Sequence, residues 1–222
     1  MARLVGMSLP RLGKEIIGYD DFTAADGTSP DRRVNSSYIN TRYNTVWETH
    51  QRDPTGNWLI QTNRLYCTNA RRLMMVSEPR IRNSESYVDI YCVTALTTSR
   101  RLGMVIRDPN DASNFAQYEI SYLGPASTTP TVANIEINYI GPQSAGSRLL
   151  LESEAITALT AGQTGTLGVI AKNNCIEVLW NSNKLIRLSS SYYNGSGMIG
   201  LSSNTMSSTT GFHMDNFISE RF

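Results

Sequence analysis

The sequence predicts an all-β protein, an antiparallel two-sheet β-sandwich. Apolar and polar residues alternate along several short segments, for example Tyr118 to Tyr122 and Ile135 to Tyr139. A period of two places one face of a strand against the core and the other in water. Gly, Pro and Asn residues separate these segments. The length of 222 residues fits one large all-β domain, since such domains run to roughly 200–250 residues.

The clearest alternation lies between Leu167 and Leu188. Two turn clusters, Lys172 to Asn174 and Asn181 to Asn183, divide it into three apolar runs. Asn suits tight hairpins because it tolerates a left-handed backbone and hydrogen-bonds its own chain. We therefore predict a three-stranded antiparallel meander and place it at the centre of the sandwich.

The other elements follow in chain order. Asp26-Gly27 marks an early turn, and Leu149 to Leu159 is the one segment that suits a short helix. The remaining predicted strands are Tyr87 to Leu96, Leu102 to Arg107, Tyr118 to Tyr122, Ile135 to Tyr139 and Phe212 to Ile218. The predicted loops are Gly124 to Thr131, Gly141 to Ser147 and Ser202 to Gly211.

The N-terminal segment differs from the rest of the chain. Met1 to Gly18 has apolar residues without a clear period, and it lacks the sustained apolar core of a signal peptide. We predict an arm or docking segment over residues 1–18 and one sandwich domain over residues 19–222. An N-terminal strand, or a cover over the sandwich, is the equally supported alternative for the first segment. With no signal peptide, the protein is expected to be made in a cytoplasm that keeps thiols reduced.

Charge and composition exclude several function classes. The chain has 20 basic and 19 acidic residues and a net charge of +1, so we predict neither a nucleic-acid nor a membrane partner. Charged residues make up 18%, below the roughly 25% of ordinary domains. Such a composition suits a β-rich protein with polar, weakly charged faces, or one whose surface is partly covered by neighbouring subunits.

Metal and cofactor chemistry has little support in the sequence. Cys67, Cys92 and Cys175 lie far apart in or beside apolar runs, which favours buried free thiols over a zinc site. His50 and His213 are the only histidines, and neither has a second ligand nearby in sequence. We predict no metal and no cofactor.

A set of weak motifs in a fixed order resembles one known superfamily. The motifs are Asp21-Phe22, Asp26-Gly27-Thr28, Gly56-Asn57-Trp58, Asn63-Arg64-Leu65, the meander, Gly200-Leu201 and Asp215-Asn216-Phe217. Over residues 19–222 the chain resembles the concanavalin A-like lectin/glucanase superfamily, a jelly roll of the laminin-G type. Within it, the chain resembles most the versions without a signal peptide found among bacteriophage structural proteins. The resemblance implies that Asp20-Asp21-Phe22 pairs near Asp215-Asn216-Phe217, and that Phe22 and Phe217 close the core edge.

Glucanases of this superfamily carry the pattern Glu-x-Asp-x-Glu on one strand, which points three carboxylates into the cleft. The comparable strands here offer one carboxylate each, at Asp89, Glu119 and Glu136. We interpret Glu119 and Glu136 as solvent-face residues. Glu152 and Glu154 could share a strand face, but nothing else in their segment supports a site. Since glycosidases need paired carboxylates, we predict no catalytic residues and no enzyme activity.

Sugar binding needs an exposed aromatic ring beside hydrogen-bonding groups. Trp47, Trp58, Tyr192 and Tyr193 are the available rings, and flanking apolar residues favour Trp47 and Trp58 as core residues. Tyr192 and Tyr193 lie in a Ser-, Asn- and Gly-rich loop. The candidate glycan surface comprises Tyr192, Tyr193 and Trp58.

The first functional prediction is a non-catalytic virion structural protein: a capsid decoration, tail or fibre-associated subunit. Its predicted partners are other virion proteins and further copies of itself, and its predicted location is the virion. The alternative is a carbohydrate-binding lectin-like module that binds surface glycans. A glycoside hydrolase is the third candidate.

Overall fold

A computed structural model describes ten segments of the chain, which hold fifteen β-strands. The described residues are 14–30, 46–49, 58–68, 71–76, 80–94, 98–109, 116–125, 131–142, 147–204 and 206–222. The strands form two antiparallel sheets, which we call sheet A and sheet B. The predicted antiparallel two-sheet β-sandwich is therefore confirmed. None of the described segments forms a helix long and apolar enough to cross a membrane.

Sheet A has eight strands in the order β13-β12-β11-β6-β15-β4-β3, and β1 also pairs with β15. Their bounds are β1 Glu15–Asp20, β3 Trp58–Gln61, β4 Arg64–Cys67, β6 Ser84–Thr94, β11 Thr164–Lys172, β12 Cys175–Trp180, β13 Asn183–Ser189 and β15 Gly211–Arg221. The long strands β6 and β15 lie at the centre of this sheet.

Sheet B has seven strands in the order β10-β9-β8-β7-β14-β5-β2. Their bounds are β2 Val46–Thr49, β5 Arg71–Val76, β7 Arg100–Asp108, β8 Gln117–Gly124, β9 Val132–Ile140, β10 Leu149–Thr157 and β14 Met198–Ser203. One continuous apolar core lies between the sheets, because alternate residues of the strands point inward, such as Leu102, Met104 and Ile106 on β7.

The two ends of the sandwich domain meet as the resemblance implied. Asp20 on β1 lies directly opposite Phe217 on β15. Phe22 and Phe217 are fully buried, and both rings contact Trp47, with centroids 6.0 and 5.2 Å away. The buried carboxylate of Asp20 accepts a hydrogen bond from Trp47 Nε1 at 2.8 Å. This aromatic cluster closes the edge of the core.

The predicted meander is present, but its position in the sandwich was wrong. Strands β11, β12 and β13 pair in sequence, and Asn173, Asn181 and Ser182 adopt the left-handed backbone that their turns require. However, β13 is the last strand of sheet A, so the meander forms one side of the sheet. The strands at its centre, β6 and β15, are far apart in sequence and pair only through long-range contacts.

Two further expectations changed. The segment predicted as a helix, Leu149 to Leu159, contains strand β10, whose pairing with β9 outweighs its local helical pattern. Strand β1 begins at Glu15, so residues 15–18 of the predicted arm belong to sheet A, as the alternative of an N-terminal strand predicted. Residues 1–13 of that arm lie outside the described residues.

Candidate functional site

The outer surface of sheet B carries polar side chains on strands whose other side forms the core. We call this surface the B face. The B face does not belong to the main core. Its buried apolar residues Val105 and Met198 form a small cluster of their own. The B face comprises Arg101, Gly103, Val105, Glu119, Ser121, Leu123, Asn134, Glu136, Asn138 and Ser202.

The accessible end of the B face is a row of four residues on neighbouring strands. Arg101 lies opposite Leu123, Leu123 opposite Asn134, and Asn134 opposite Ala155. The first three are half-buried and Ala155 is exposed. We call these four residues the open row, because the next two rows across β7, β8 and β9 are buried. Among the described rows of the B face, this one is therefore the most accessible to solvent.

The second row contains two buried hydroxyl groups. In this row Ser202 lies opposite Gly103, Gly103 opposite Ser121, and Ser121 opposite Glu136. Neither Ser121 Oγ nor Ser202 Oγ has a hydrogen-bond partner. Gly103 lies between them. Glycine is required at this position, because a Cβ would lie 2.0 Å from the carbonyl oxygen of Ile120. The row therefore carries neutral groups that can both donate and accept hydrogen bonds.

Glu136 at the end of this row forms an ion pair with the open row. Arg101 Nε donates to Glu136 Oε2 at 3.0 Å, and Asn138 Nδ2 donates to the same oxygen at 3.3 Å. The backbone of Arg101 is fixed by Asn204, whose Oδ1 accepts from the Arg101 N–H at 2.7 Å. No described residue accepts a hydrogen bond from Arg101 Nη1 or Nη2. The outer half of this guanidinium is therefore available to a ligand.

The third row holds a second ion pair. The carboxylate of Glu119 is fully buried and accepts two hydrogen bonds from Arg148, from Nε to Oε1 at 2.8 Å and from Nη2 to Oε2 at 3.0 Å. Two parallel bonds of this kind are the strongest form of a carboxylate–guanidinium contact. Each of the two glutamates on the B face is thus neutralised by one arginine.

The interpretation of Glu119 and Glu136 as solvent-face residues was wrong. Both point away from the main core, as their alternation predicted, yet Glu119 is 0% and Glu136 is 6% exposed. The physical reason is that an arginine can replace water around a buried carboxylate. On β8 the outward positions read Gln117, Glu119 and Ser121, so this strand presents one carboxylate where a Glu-x-Asp-x-Glu strand would present three.

The structure does not bring the three predicted glycan residues together. Trp58 is 1% exposed in the core of sheet A, so its ring has no free face and its inclusion is corrected. Tyr192 is 41% exposed and stacks on Tyr139 with ring centroids 5.0 Å apart. Tyr139 belongs to the core side of β9, and Tyr192 therefore lies away from the B face.

Tyr193 is half-buried and held by its backbone. Its N–H donates to Tyr118 Oη at 3.0 Å, and its carbonyl oxygen accepts from Tyr118 Oη at 3.1 Å and from Arg107 Nη1 at 3.3 Å. Arg107 is buried and also donates to the carbonyl oxygens of Arg82 and Asn173. Burial lowers the pKa of Arg107. These bonds fix the loop that precedes β14.

The three cysteine side chains and His213 take structural positions, and His50 lies outside the described residues. All three cysteines are free; Cys67 and Cys92 are buried and Cys175 is half-buried, and burial raises the pKa of Cys92 to about 11. His213 is buried, stacks on Tyr66 and contacts the carbonyl oxygen of Ser207 through Nε2 at 2.8 Å; burial lowers its pKa. The described part of the chain contains no group of three or more His, Cys, Asp or Glu side chains placed to hold a metal.

Comparisons with known proteins identify the fold. No family model and no curated protein matches the sequence. Among solved structures, the carbohydrate-binding module CBM66 from Bacillus subtilis shares 13% identity with a TM-score of 0.55, covering 79% of this chain and 95% of that one. LamAcat from Zobellia galactanivorans shares 9% identity with a TM-score of 0.56, covering 93% and 97%.

A third structure, a Bacteroides ovatus mixed linkage glucan GH16 protein in complex with a G4G4G3G product, shares 11% identity with a TM-score of 0.51 and covers 91% of this chain and 98% of that one. At these identities the likeness shows the fold, which is the concanavalin A-like jelly roll. The jelly-roll fold that the sequence resemblance implied is therefore supported. None of the comparisons links the chain to bacteriophages.

Proposed function

We propose that the protein is a non-catalytic carbohydrate-binding module that binds glycan at the open row of the B face. Carbohydrate-binding modules and glycoside hydrolases share this sandwich, and a fold by itself does not decide between functions. The proposal is therefore carried by one observation of the site: Arg101 offers two unpartnered Nη groups on the accessible row, which also carries Asn134 one strand further on.

The chemistry of the open row matches that of a sugar. Arg101 Nη1 and Nη2 donate hydrogen bonds, and the amide of Asn134, which has no partner among the described residues, both donates and accepts. Leu123 lies between them and supplies an apolar surface for the C–H groups of a sugar ring. Because Glu136 fixes the orientation of Arg101, binding would order little additional side-chain freedom.

The ion pairs argue against hydrolysis. A general acid must give its proton to the leaving group, and a nucleophile must reach the sugar carbon. Glu119 is fully buried with both oxygens bonded to Arg148, and Glu136 is bonded to Arg101 and Asn138. These contacts commit both carboxylates to structural partners, which favours binding without catalysis on the B face.

The virion structural role stays a prediction that no comparison supports. A jelly roll that binds glycans could serve within a larger particle, but no described surface contact identifies such a partner.

The test is a binding screen with the intact chain. We expect at least one oligosaccharide from a panel of gluco-, galacto-, manno-, xylo- and fructo-oligosaccharides to bind, measured by isothermal titration calorimetry. Arg101→Ala should weaken that binding by about tenfold or more, since it removes charge-assisted hydrogen bonds to the ligand.

Arg187→Ala is the matched control, because Arg187 forms a similar surface ion pair with Glu177 on the outer side of sheet A. It should leave glycan affinity unchanged. Equal affinity of the Arg101→Ala variant and the wild type would exclude the open row as the site. Release of reducing sugar that disappears in Glu119→Gln or Glu136→Gln would instead identify the protein as a hydrolase.

A further inference from the structure

Two carboxyl groups face each other at the centre of sheet A. Asp89 on β6 lies directly opposite Asp215 on β15, and both side chains point away from the core. Like charges directly opposite one another on neighbouring strands destabilise a sheet. Both side chains are half-buried, so water screens their repulsion only in part. Such a pair is more stable when one of the two carboxyl groups carries a proton.

The hydrogen bonds around the pair place that proton on Asp215. Asp89 accepts from Thr166 Oγ1 at 2.6 Å and from Asn216 Nδ2 at 2.9 Å, which uses both of its oxygens. Asp215 Oδ1 accepts from the N–H of Asn216 at 2.8 Å, and no described residue donates to Asp215 Oδ2. The pKa of Asp215 is raised to about 7, chiefly by burial and also by the charges of Asp89 and Asp21.

The charged groups around Asp215 include one cation. Arg64 on β4 lies over the ring of Tyr91, with 3.6 Å from its Cζ to the ring centroid, and forms no ion pair with a described carboxylate. Arg64 lowers the pKa of Asp215, but burial raises it by more. His213, two positions back along β15, adds no positive charge at pH 7 because burial lowers its pKa. The other titratable groups near the pair are Tyr87 and Tyr91 on β6, Tyr19 and Asp20 on β1, and Asp21 after β1.

The pair lies where the pairing of β15 is interrupted. Between Asp215 and Ile218 the register of β15 with β6 shifts, and Asn216 at this bulge has a left-handed backbone with φ 47°. On its other side, β15 pairs with β4 at Met214 and with β1 after the bulge. Because backbone pairing is reduced here, the hydrogen bonds of Asn216 to both carboxyl groups contribute more to holding the strands together.

We infer that the Asp89–Asp215 pair is a pH-sensitive switch: a proton on Asp215 holds β6 and β15 together at the bulge, and its loss near neutral pH promotes local opening of β1 and the end of β15. The core residue of that end is Phe217, which contacts Trp47 with ring centroids 5.2 Å apart. Opening therefore exposes this aromatic cluster. The switch does not depend on the glycan site of the B face.

The direction of the switch follows from proton binding. An ionised Asp215 regains its full hydration only when the strands separate, so ionisation favours the open form. The ordinary pKa of this group is 3.8, so between pH 3.8 and about 7 the closed form holds a proton that the open form releases. The closed form loses stability as the pH rises through this range.

The first experiment measures native-state hydrogen exchange of the intact chain by NMR at pH 5.5 and pH 8. Rates are converted to protection factors, which removes the pH dependence of exchange in an unfolded chain. Protection of the hydrogen-bonded amides in β1 and in residues 217–221 should fall about tenfold or more with rising pH, relative to amides of β8 and β9 in sheet B. An equal change in both sheets would overturn the inference, because the whole molecule would then respond.

The second experiment uses variants of the pair. Asp215→Asn keeps the shape of the side chain without its titration, so protection in β1 and β15 should no longer change with pH. Asp89→Asn should keep part of the change, because burial is the larger cause of the raised pKa of Asp215. Asp26→Asn is the matched control, since Asp26 is exposed and contacts Gln61 and Thr62, and it should behave like the wild type. Full pH dependence in Asp215→Asn would show that another group is the switch.

Two measurements on the wild type complete the test. An NMR titration of the Asp215 carboxyl carbon should have a midpoint near 7, and a midpoint near 4 would overturn the inference. Exchange at pH 8 is then repeated with excess Ca²⁺ and with EDTA. Unchanged protection supports the switch, whereas protection that Ca²⁺ restores would show that the pair binds a cation instead of a proton.

Discussion

The B face and the centre of the outer surface of sheet A arrange their acidic residues in opposite ways. On the B face, Glu119 and Glu136 are each bonded to an arginine. At the centre of sheet A, Asp89 on β6 lies directly opposite Asp215 on β15, and both point away from the core. The B face pairs unlike charges, whereas the centre of sheet A places two like charges side by side.

The sheet A pair is held together by hydrogen bonds. Asp89 Oδ1 accepts from Thr166 Oγ1 at 2.6 Å, and Asp89 Oδ2 accepts from Asn216 Nδ2 at 2.9 Å. Asp215 Oδ1 accepts from the N–H of Asn216 at 2.8 Å. Burial raises the pKa of Asp215 to about 7, and the neighbouring charges of Asp89 and Asp21 add to this shift.

This difference shows that the direction in which a strand residue points does not determine its surroundings. An outward carboxylate can be buried and paired, as Glu119 is, or half-buried beside another carboxylate, as Asp215 is. Pairing with an arginine stabilises the charged form of the carboxyl group, whereas a neighbouring carboxylate disfavours it. The two sheets should therefore respond differently to substitution and to pH.

Removing Arg148 should have the largest effect on stability. Arg148→Ala leaves the fully buried carboxylate of Glu119 without its two hydrogen bonds. Breaking a buried pair by deleting one partner destabilises proteins by roughly 3–5 kcal/mol. We expect a loss of about 3 kcal/mol in the free energy of unfolding, measured by urea denaturation at pH 7.

A double variant tests the cause of this loss. Glu119→Gln combined with Arg148→Met removes both charges and should recover most of the stability, because no unpaired buried charge remains. If Arg148→Ala costs less than about 1 kcal/mol, Glu119 is hydrated and the B face is more open than its burial indicates.

Substitution of Asp215 should have a smaller effect of the opposite sign. The pKa of Asp215 is raised from its ordinary value of 3.8 to about 7. Between these values the folded protein holds more protons than the unfolded chain, so stability falls as pH rises through this window. Asp215→Asn has no carboxylate to ionise, and it should be more stable than the wild type at pH 8 by about 1–3 kcal/mol.

Urea unfolding at pH 4.5, 6 and 8 would measure this difference. We expect the gap between Asp215→Asn and the wild type to widen with pH and to level off above about pH 8. Asp26→Asn provides the control, since Asp26 is exposed and contacts Gln61 and Thr62 rather than another carboxylate. A gap that stays constant with pH would show that Asp215 titrates normally.

The fold was predictable because its signals are local. Alternation identified strands such as β8 and β9, and the Asn-rich turns identified the β11–β13 meander. The pairing of β1 with β15 followed from the family resemblance. The position of the meander did not follow, because the order of strands in a sheet depends on pairings between distant segments such as β6 and β15.

The candidate site was not predictable, because its contacts also join residues that are distant in sequence. Glu119 meets Arg148 across 29 residues of sequence, and Glu136 meets Arg101 across 35. Neither pair has a spacing that marks it, and an alternating strand with one carboxylate is typical of a wet face. For Trp58 the local sequence was informative, because its flanking apolar residues correctly favoured a position in the core.

The smallest effect is expected for an ion pair that is exposed. Glu177 Oε2 accepts from Lys184 Nζ at 2.8 Å, and Arg187 Nε lies 3.5 Å from Glu177 Oε1, but the cationic side chains are 52% and 69% exposed. Water and salt screen such pairs, and holding long side chains in place opposes the Coulomb gain. Glu177→Gln should therefore leave the urea midpoint unchanged within experimental error. A clear destabilisation would mean that the exposed ion pair of Glu177 stabilises the fold as a buried pair does. The burial of Glu119 would then not explain a large effect of Arg148→Ala.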